Sequence, residues 1–275
     1  MKADLRGAAP PPAAGVARRP RRGPSGLGLT YWTVIGLLYL PIVLLFVFSI
    51  NANTSLTFPL KGFTVDWYAK LFQSTNLLHS IVNSVIVAIT SSILATALGT
   101  MVAILLSRFD FRGKGLLTGL AIMPLIVPYV VLAVALLILF HALGITLSLG
   151  TVAAAHALVA LPYATLIVLA RLLGFERELE EASMDLGATY LATIRLVILP
   201  IAAPAIVSAW ITAFTVSFDE FALALFLAGR DPTFPVYLYG QLRYANVLPV
   251  LIAAAVLIMA ASLILLAAAE RIRRR

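Results

Sequence analysis

The sequence predicts an all-α membrane protein of six transmembrane helices, on three observations. Of its 275 residues, 61% are hydrophobic and 12% are charged, about half the ~25% of charged residues usual in soluble domains. The apolar residues gather into runs long enough to cross ~30 Å of hydrocarbon as helices, with the charges confined between them. Sixteen of the 20 Lys and Arg residues also fall on one side of the membrane once six spans are drawn. The net charge of +8 is therefore read against a lipid bilayer and not as a nucleic-acid surface. Cysteine is absent, which excludes disulfides, cysteine-ligated zinc, iron–sulfur clusters and a cysteine nucleophile.

Residues 1–28 are rich in Pro, Ala, Gly and Arg without apolar period, which predicts a disordered tail ending in Arg18, Arg19, Arg21 and Arg22. The first span, 29–50, has the length of a full crossing, whereas the apolar core of a cleaved signal runs ~7–15 residues. Tyr31 and Trp32 are placed to anchor it at the interface. Further spans are predicted at 80–106, 115–139, 152–173, 200–228 and 247–269, followed by a basic C-terminus at 271–275. Six spans put both termini on one side, and the excess of Lys and Arg there places that side in the cytoplasm. Pro124, Pro128 and Pro162 should bend the third and fourth spans. Asn83, Ser84, Ser91 and Ser92 in the second span are expected to hydrogen-bond between helices. His79, His141 and His156 lie scattered near span ends and are given no role.

The cytoplasmic segment between the fourth and fifth spans, 174–199, holds Glu176, Glu178, Glu180, Glu181 and Asp185. Phe175, Leu179, Ala182 and Leu186 fall at helical spacing, so a short helix here presents an apolar stripe beside an acidic face. Gly187 can end that helix. Thr189 can cap a second one, with Leu191, Ile194 and Ile198 on one face before Pro200 opens the next span. Two short helices meeting at a glycine make a projection suited to a groove on a partner.

Glu181-Ala182-Ser183, three residues, Gly187, nine residues and Val197-Ile198-Leu199-Pro200 resemble the loop of binding-protein-dependent ABC importers, whose pattern is E-A-A, three residues, G, nine residues, I-x-L-P. Ser183 replaces the second Ala and Val197 the Ile. With Ser217-Phe218-Asp219-Glu220-Phe221 further on, the resemblance extends over nearly all of 29–270, to the permease subunits of spermidine/putrescine-type importers. It implies a six-span permease domain over 29–270 whose 174–199 loop is the coupling-helix loop. Glu181, Ala182, Ser183, Gly187, Leu199 and Pro200 would then couple the chain to an ATPase. The implied partners are a second permease subunit, two cytoplasmic ATPase subunits and a periplasmic substrate-binding protein, in a bacterial inner membrane. ATP and Mg would reside in the ATPase, with no cofactor in this chain. The non-membrane stretches are in keeping with this, being too short for a nucleotide-hydrolysing domain, and no G-x-x-x-x-G-K-[ST] motif occurs.

The 29 residues from Pro200 to Ala228 would extend roughly 43 Å as one helix, too long for a simple crossing. A break is expected at Ser217 to Glu220, where Ser217-x-x-Glu220 reads as a capping box for a helix over 221–228. Asp219 and Glu220 are ionisable groups in the outer membrane and so are candidates for contact with a cationic substrate. The alternative is that Glu220 caps the helix while Asp219 lies at the outer interface. Tyr129 and Tyr163, each after a proline, could line the same path or simply pack. Polyamine-type permeases commonly carry Glu where Tyr129 stands.

The resemblance implies a polyamine or another small cation as cargo. Aminophosphonate, amino-acid-like, iron or sulfate cargoes in the same machine are alternatives. An intramembrane enzyme would need a nucleophile with its base or a metal cluster, and neither G-x-S-x-G nor H-E-x-x-H is present. An ion-driven secondary transporter would place charges inside both halves, yet the first four spans carry none in their interiors.

Overall fold

The computed structural model describes residues 26–273, Ser55 aside. Most of the basic tail expected over 1–28 and the end of the basic C-terminus lie outside these residues. The chain divides into two units, Met1–Leu45 and Phe46–Arg275. The first holds most of α1 (Gly26–Ser49), an uncharged apolar helix with Pro41 inside it.

In the second unit α2 (Asp66–Gln73) precedes the long α3 (Thr75–Arg108), then α4 (Lys114–Ile122), α5 (Tyr129–Ala142) and α6 (Leu149–Leu173). The inner segment forms α7 (Glu178–Asp185) and α8 (Tyr190–Thr193), followed by α9 (Leu199–Phe218), α10 (Ala222–Leu227), α11 (Phe234–Gln241) and α12 (Leu248–Arg273). No β-strand occurs among the described residues; one isolated antiparallel bridge joins Asn51 and Phe63. Four helices there are long and apolar enough to cross a membrane, five if the bent α4/α5 pair counts as one span, and Leu248–Ile264 is a shorter apolar stretch.

The core of the second unit is built where α3, α6 and α9 meet. Ala95, Ala160 and Ala213 form one fully buried layer, and Ala103, Ala164, Val168, Ile198 and Ala202 form another. Small side chains let helix backbones approach closely inside a bilayer, where packing rather than the hydrophobic effect holds helices together. Gly99 shows how close the approach is: a Cβ there would stand 2.8 Å from Ala164 Cβ and 2.9 Å from the Thr165 amide nitrogen. At the other end of α3, Asn83 donates to the Pro232 carbonyl at 3.1 Å and Ser84 accepts from the Phe234 amide at 2.8 Å. The Ser84 bond to the first residue of α11 is interhelical as expected, whereas Asn83 bonds the loop just before that helix. Ser92, by contrast, donates to Ile89 of its own helix.

Several boundaries differ from expectation. The third span is not one bent helix but two helices meeting at 107°. A 3-10 turn over Met123–Leu125 ends the first, and Pro128 stands just ahead of the second. Pro162 leaves α6 uninterrupted. The second inner helix does not stop before Pro200: helical structure continues from Tyr190 to Phe218 through a π turn at Ile194–Ile198, where the Leu199 amide reaches back to the Ile194 carbonyl. Proline lacks the N–H and crowds the carbonyl four residues earlier, and the wider turn ahead of Pro200 accommodates both. Helices α2 and α11 lie between the expected spans, in segments for which no element was predicted; Trp67 of α2 donates to the Asn51 carbonyl at 2.7 Å.

Candidate functional site

Two places bring chemistry-bearing residues together. The first is the break after α9. Phe218 ends that helix and Ala222 begins α10, so the break falls where it was expected, although the helix before it runs unbroken for 29 residues from Tyr190. The capping differs from the expected box. Glu220 alone caps α10, its carboxylate accepting from the amides of Ala222 at 2.9 Å, Leu223 at 2.8 Å and Ala224 at 3.4 Å. Ser217 faces inward and takes part in a different arrangement. Its hydroxyl meets Ser91 Oγ of α3 at 2.7 Å and His156 Nδ1 of α6 at 2.9 Å. His156 Nε2 in turn lies 3.2 Å from Glu220 Oε2, a close polar contact that is not aligned as a hydrogen bond. All four side chains are buried. Nearby, Thr151 of α6 donates to the Leu227 carbonyl at 2.9 Å, tying down the far end of α10.

Asp219 points the other way. Where Glu220 is buried, Asp219 is exposed. It lines an open cavity of about 530 Å³ with Phe218, Phe221, Tyr239 and Met259 among its walls. Phe221 and Tyr239 pack there with ring centroids 5.1 Å apart. Tyr129 and Tyr163 are neighbours, half-buried, and Tyr129 is near Glu220. Of the expected pathway residues, Tyr129, Tyr163 and Glu220 thus gather on the inner side of the break and Asp219 faces the cavity on the other.

The second place is the inner segment. Gly187 closes α7 with φ of +91°, a left-handed conformation that side chains with a Cβ resist. Thr189 caps α8 as expected, its hydroxyl accepting from the Ala192 amide at 3.3 Å. Helix α7 begins at Glu178, so Phe175 lies before it. Leu179, Ala182 and Leu186 stand exposed along α7 and its end, Leu186 being 91% exposed. With Leu196, Val197 and Pro200 they line an open groove of about 490 Å³. Glu181 is exposed on α7, and Ser183 Oγ meets Thr193 Oγ1 of α8 at 3.1 Å, joining the two short helices.

The acidic face is not uniformly solvated. Glu180 is buried, and its carboxylate sits 2.6 Å from the Arg108 guanidinium at the end of α3. Arg108 also donates to the Leu172 carbonyl at 3.0 Å, and Arg177 donates to the Ser107 carbonyl at 3.0 Å. On the exposed turn beyond α3, Lys114 hydrogen-bonds Asp110 at 2.8 Å and holds that carboxyl below its usual range.

Sequence reasoning missed His156 and Arg108. The signal for His156 was its setting, since an imidazole inside Val152-Ala153-Ala154-Ala155 is costly in a membrane unless partnered. Arg108 was counted only as one of the inner positive charges.

Residues 95–275 match the family described as binding-protein-dependent transport system inner membrane component. The chain belongs to that family. It is a permease subunit of a binding-protein-dependent ABC importer, a multi-pass protein of the inner membrane. This permease is 35% identical over 246 residues to the spermidine/putrescine transport system permease protein PotC of Haemophilus influenzae, covering 89% of this chain and 95% of that one. It is 33% identical over 243 residues to the putrescine transport system permease protein PotI of Escherichia coli K12, covering 86% and 84%. Its fold matches a crystal structure of a bacterial ABC transporter that imports the acidic polysaccharide alginate, with TM-score 0.71 at 17% identity over 90% of this chain and 93% of that one.

Proposed function

We propose that this permease crosses the membrane six times with both termini in the cytoplasm and forms part of the translocation pathway for a polyamine. The spans are α1, α3, the α4/α5 pair, α6, α9 with α10, and α12. The single observation that carries the cargo is Asp219, an exposed carboxylate in a cavity walled by aromatic rings. A protonated amine is attracted both by the carboxylate and by the faces of Phe and Tyr, and the methylene chain of a polyamine suits the apolar remainder of the wall. The relatives named for spermidine and putrescine transport, matched over most of both chains, support the same cargo.

Energy enters through the inner segment. The exposed apolar stripe of Leu179, Ala182 and Leu186 and the neighbouring groove form the face that docks on an ATPase, with Glu181 at its edge and Gly187 holding the bend between α7 and α8. Ser183 keeps the two short helices together, and Leu199 and Pro200 join them to α9. The full importer then comprises a second permease subunit, two ATPase subunits holding ATP and Mg, and a periplasmic binding protein that delivers the cargo. Rocking of the docked segment alternates access to the pathway.

The test is ATP hydrolysis by the complex reconstituted from neighbouring genes, with a panel of loaded binding proteins and with Glu181→Ala beside the native chain. Stimulation by polyamine-loaded binding protein, lost in E181A, is expected. Stimulation only by an anionic ligand would discard the polyamine, and failure of any ATPase to assemble with the chain would discard the coupling role.

A further inference from the structure

The Arg108–Glu180 pair joins an element that receives force to one that has no covalent link to it nearby. Glu180 belongs to α7, in the segment read above as the docking face, and Arg108 is the last residue of α3. Both side chains are about 95% buried, with charged ends 2.6 Å apart. A surface ion pair exchanges partners freely and contributes little. A buried pair is different: separating it leaves a charge stranded away from water, so the two groups move together or at a large cost. Two further bonds bracket it. Arg108 grips the Leu172 carbonyl at the end of α6, and Arg177, just before α7, grips the Ser107 carbonyl of α3. The Phe109 and Tyr190 rings meet edge to face at 5.3 Å on the α8 side.

Helix α3 is also the element best placed to carry a displacement onward. It packs against α6 at Gly99 so closely that a Cβ there would stand 2.8 Å from Ala164 Cβ. About 26 Å from Arg108 along the helix, at 1.5 Å per residue, its Ser91 hydroxyl holds Ser217 at the break that presents Asp219.

We propose that Arg108 and Glu180 are positioning residues that lock α7 to α3, so that α3 travels as one body with the inner segment when the ATPase moves it. This rests on the coupling role given above. Without the lock, only the Arg177–Ser107 bond and the Phe109–Tyr190 contact would tie the segment to α3, and more of the force would pass through the chain joining α7 to α6 and α9. The ATPase would still dock and hydrolyse, but less of each stroke would reach the pathway.

The chain has no native cysteine, which makes a distance measurement direct. Cysteines replace Leu105 on α3 and Asp185 on α7, both exposed, and carry spin labels in the assembled complex. The expected result is one narrow distance, the same in the nucleotide-free and vanadate-trapped states. In Glu180→Gln the distribution should broaden, and cargo moved per ATP hydrolysed should fall by about threefold or more while the ATPase still copurifies, because the amide leaves Arg108 buried without its counter-charge. A native distance that changes between the two states overturns the lock. So does a Glu180→Gln complex with native distance and native cargo per ATP. Should E180Q not accumulate, the distances in the otherwise native chain decide alone. If no ATPase copurifies even with the native chain, the coupling role itself fails, which is a separate outcome from a lock that does not hold.

Discussion

Glu220 and Asp219 are neighbours in sequence with opposite surroundings, and truncating each to Ala should have opposite effects. Glu220 is 7% exposed and accepts two short bonds, from the Leu223 amide at 2.8 Å and the Ala222 amide at 2.9 Å, with a longer one from Ala224. Leu223 and Ala224 are fully buried, so their amides find no water when the carboxylate is removed. At about 1–3 kcal/mol for each buried donor left unsatisfied, stranding the Leu223 and Ala224 amides costs roughly 2–6 kcal/mol. Asp219 is exposed and makes no such bonds, so Asp219→Ala should change stability by no more than about 0.5 kcal/mol. Thermal unfolding of the purified chain in detergent measures both. Cargo should respond in reverse order. A charged hydrogen bond to an amine contributes about 1.5–3 kcal/mol, and its loss in D219A should weaken apparent cargo affinity roughly ten- to hundredfold in proteoliposome uptake. If E220A melts with the native chain, or D219A melts with E220A, this division between a structural and a cargo-facing carboxylate is wrong.

Two other substitutions test the packing and the bend. Gly99→Ala would place its Cβ 2.8 Å from Ala164 Cβ, forcing α3 and α6 apart; a loss of about 1–3 kcal/mol is expected in the same unfolding assay, and an unchanged midpoint would show the crossing to be looser than described. Gly187→Ala meets no neighbour, so only its φ of +91° resists; the cost is about 1–2 kcal/mol, and it should appear as weaker binding-protein-stimulated ATP hydrolysis, while unaltered stimulation would remove Gly187 from the docking projection.

Much of this architecture was readable along the chain because its physics is local. The long helices lie where the apolar runs lie, and the break after α9 falls where Ser217, Asp219 and Glu220 interrupt one of them. Gly187 and Thr189 sit where a stop and a start are needed, and both serve there. The two short helices α7 and α8 were legible for the same reason, their residues all lying within one short stretch.

Other features were not local. Ser217 was read with Glu220, three residues on, as one box, yet its partners are Ser91 and His156, 126 and 61 residues away. Glu180 was placed on an acidic face with its neighbours, and it is instead buried against Arg108. Tyr129 of α5 and Tyr163 of α6, 34 residues apart, became neighbours only in the fold.

Spacing, length and the sidedness of charge determined from sequence alone that this chain is helical and membrane-embedded, with two short helices meeting at a glycine between two of its long ones. Which of two adjacent carboxylates faces an open cavity, and which buried arginine takes which glutamate, was decided by the tertiary structure. Burial and pairing depend on which helices meet, and that is settled by the packing of small residues between α3, α6 and α9 rather than by any pattern within one of them.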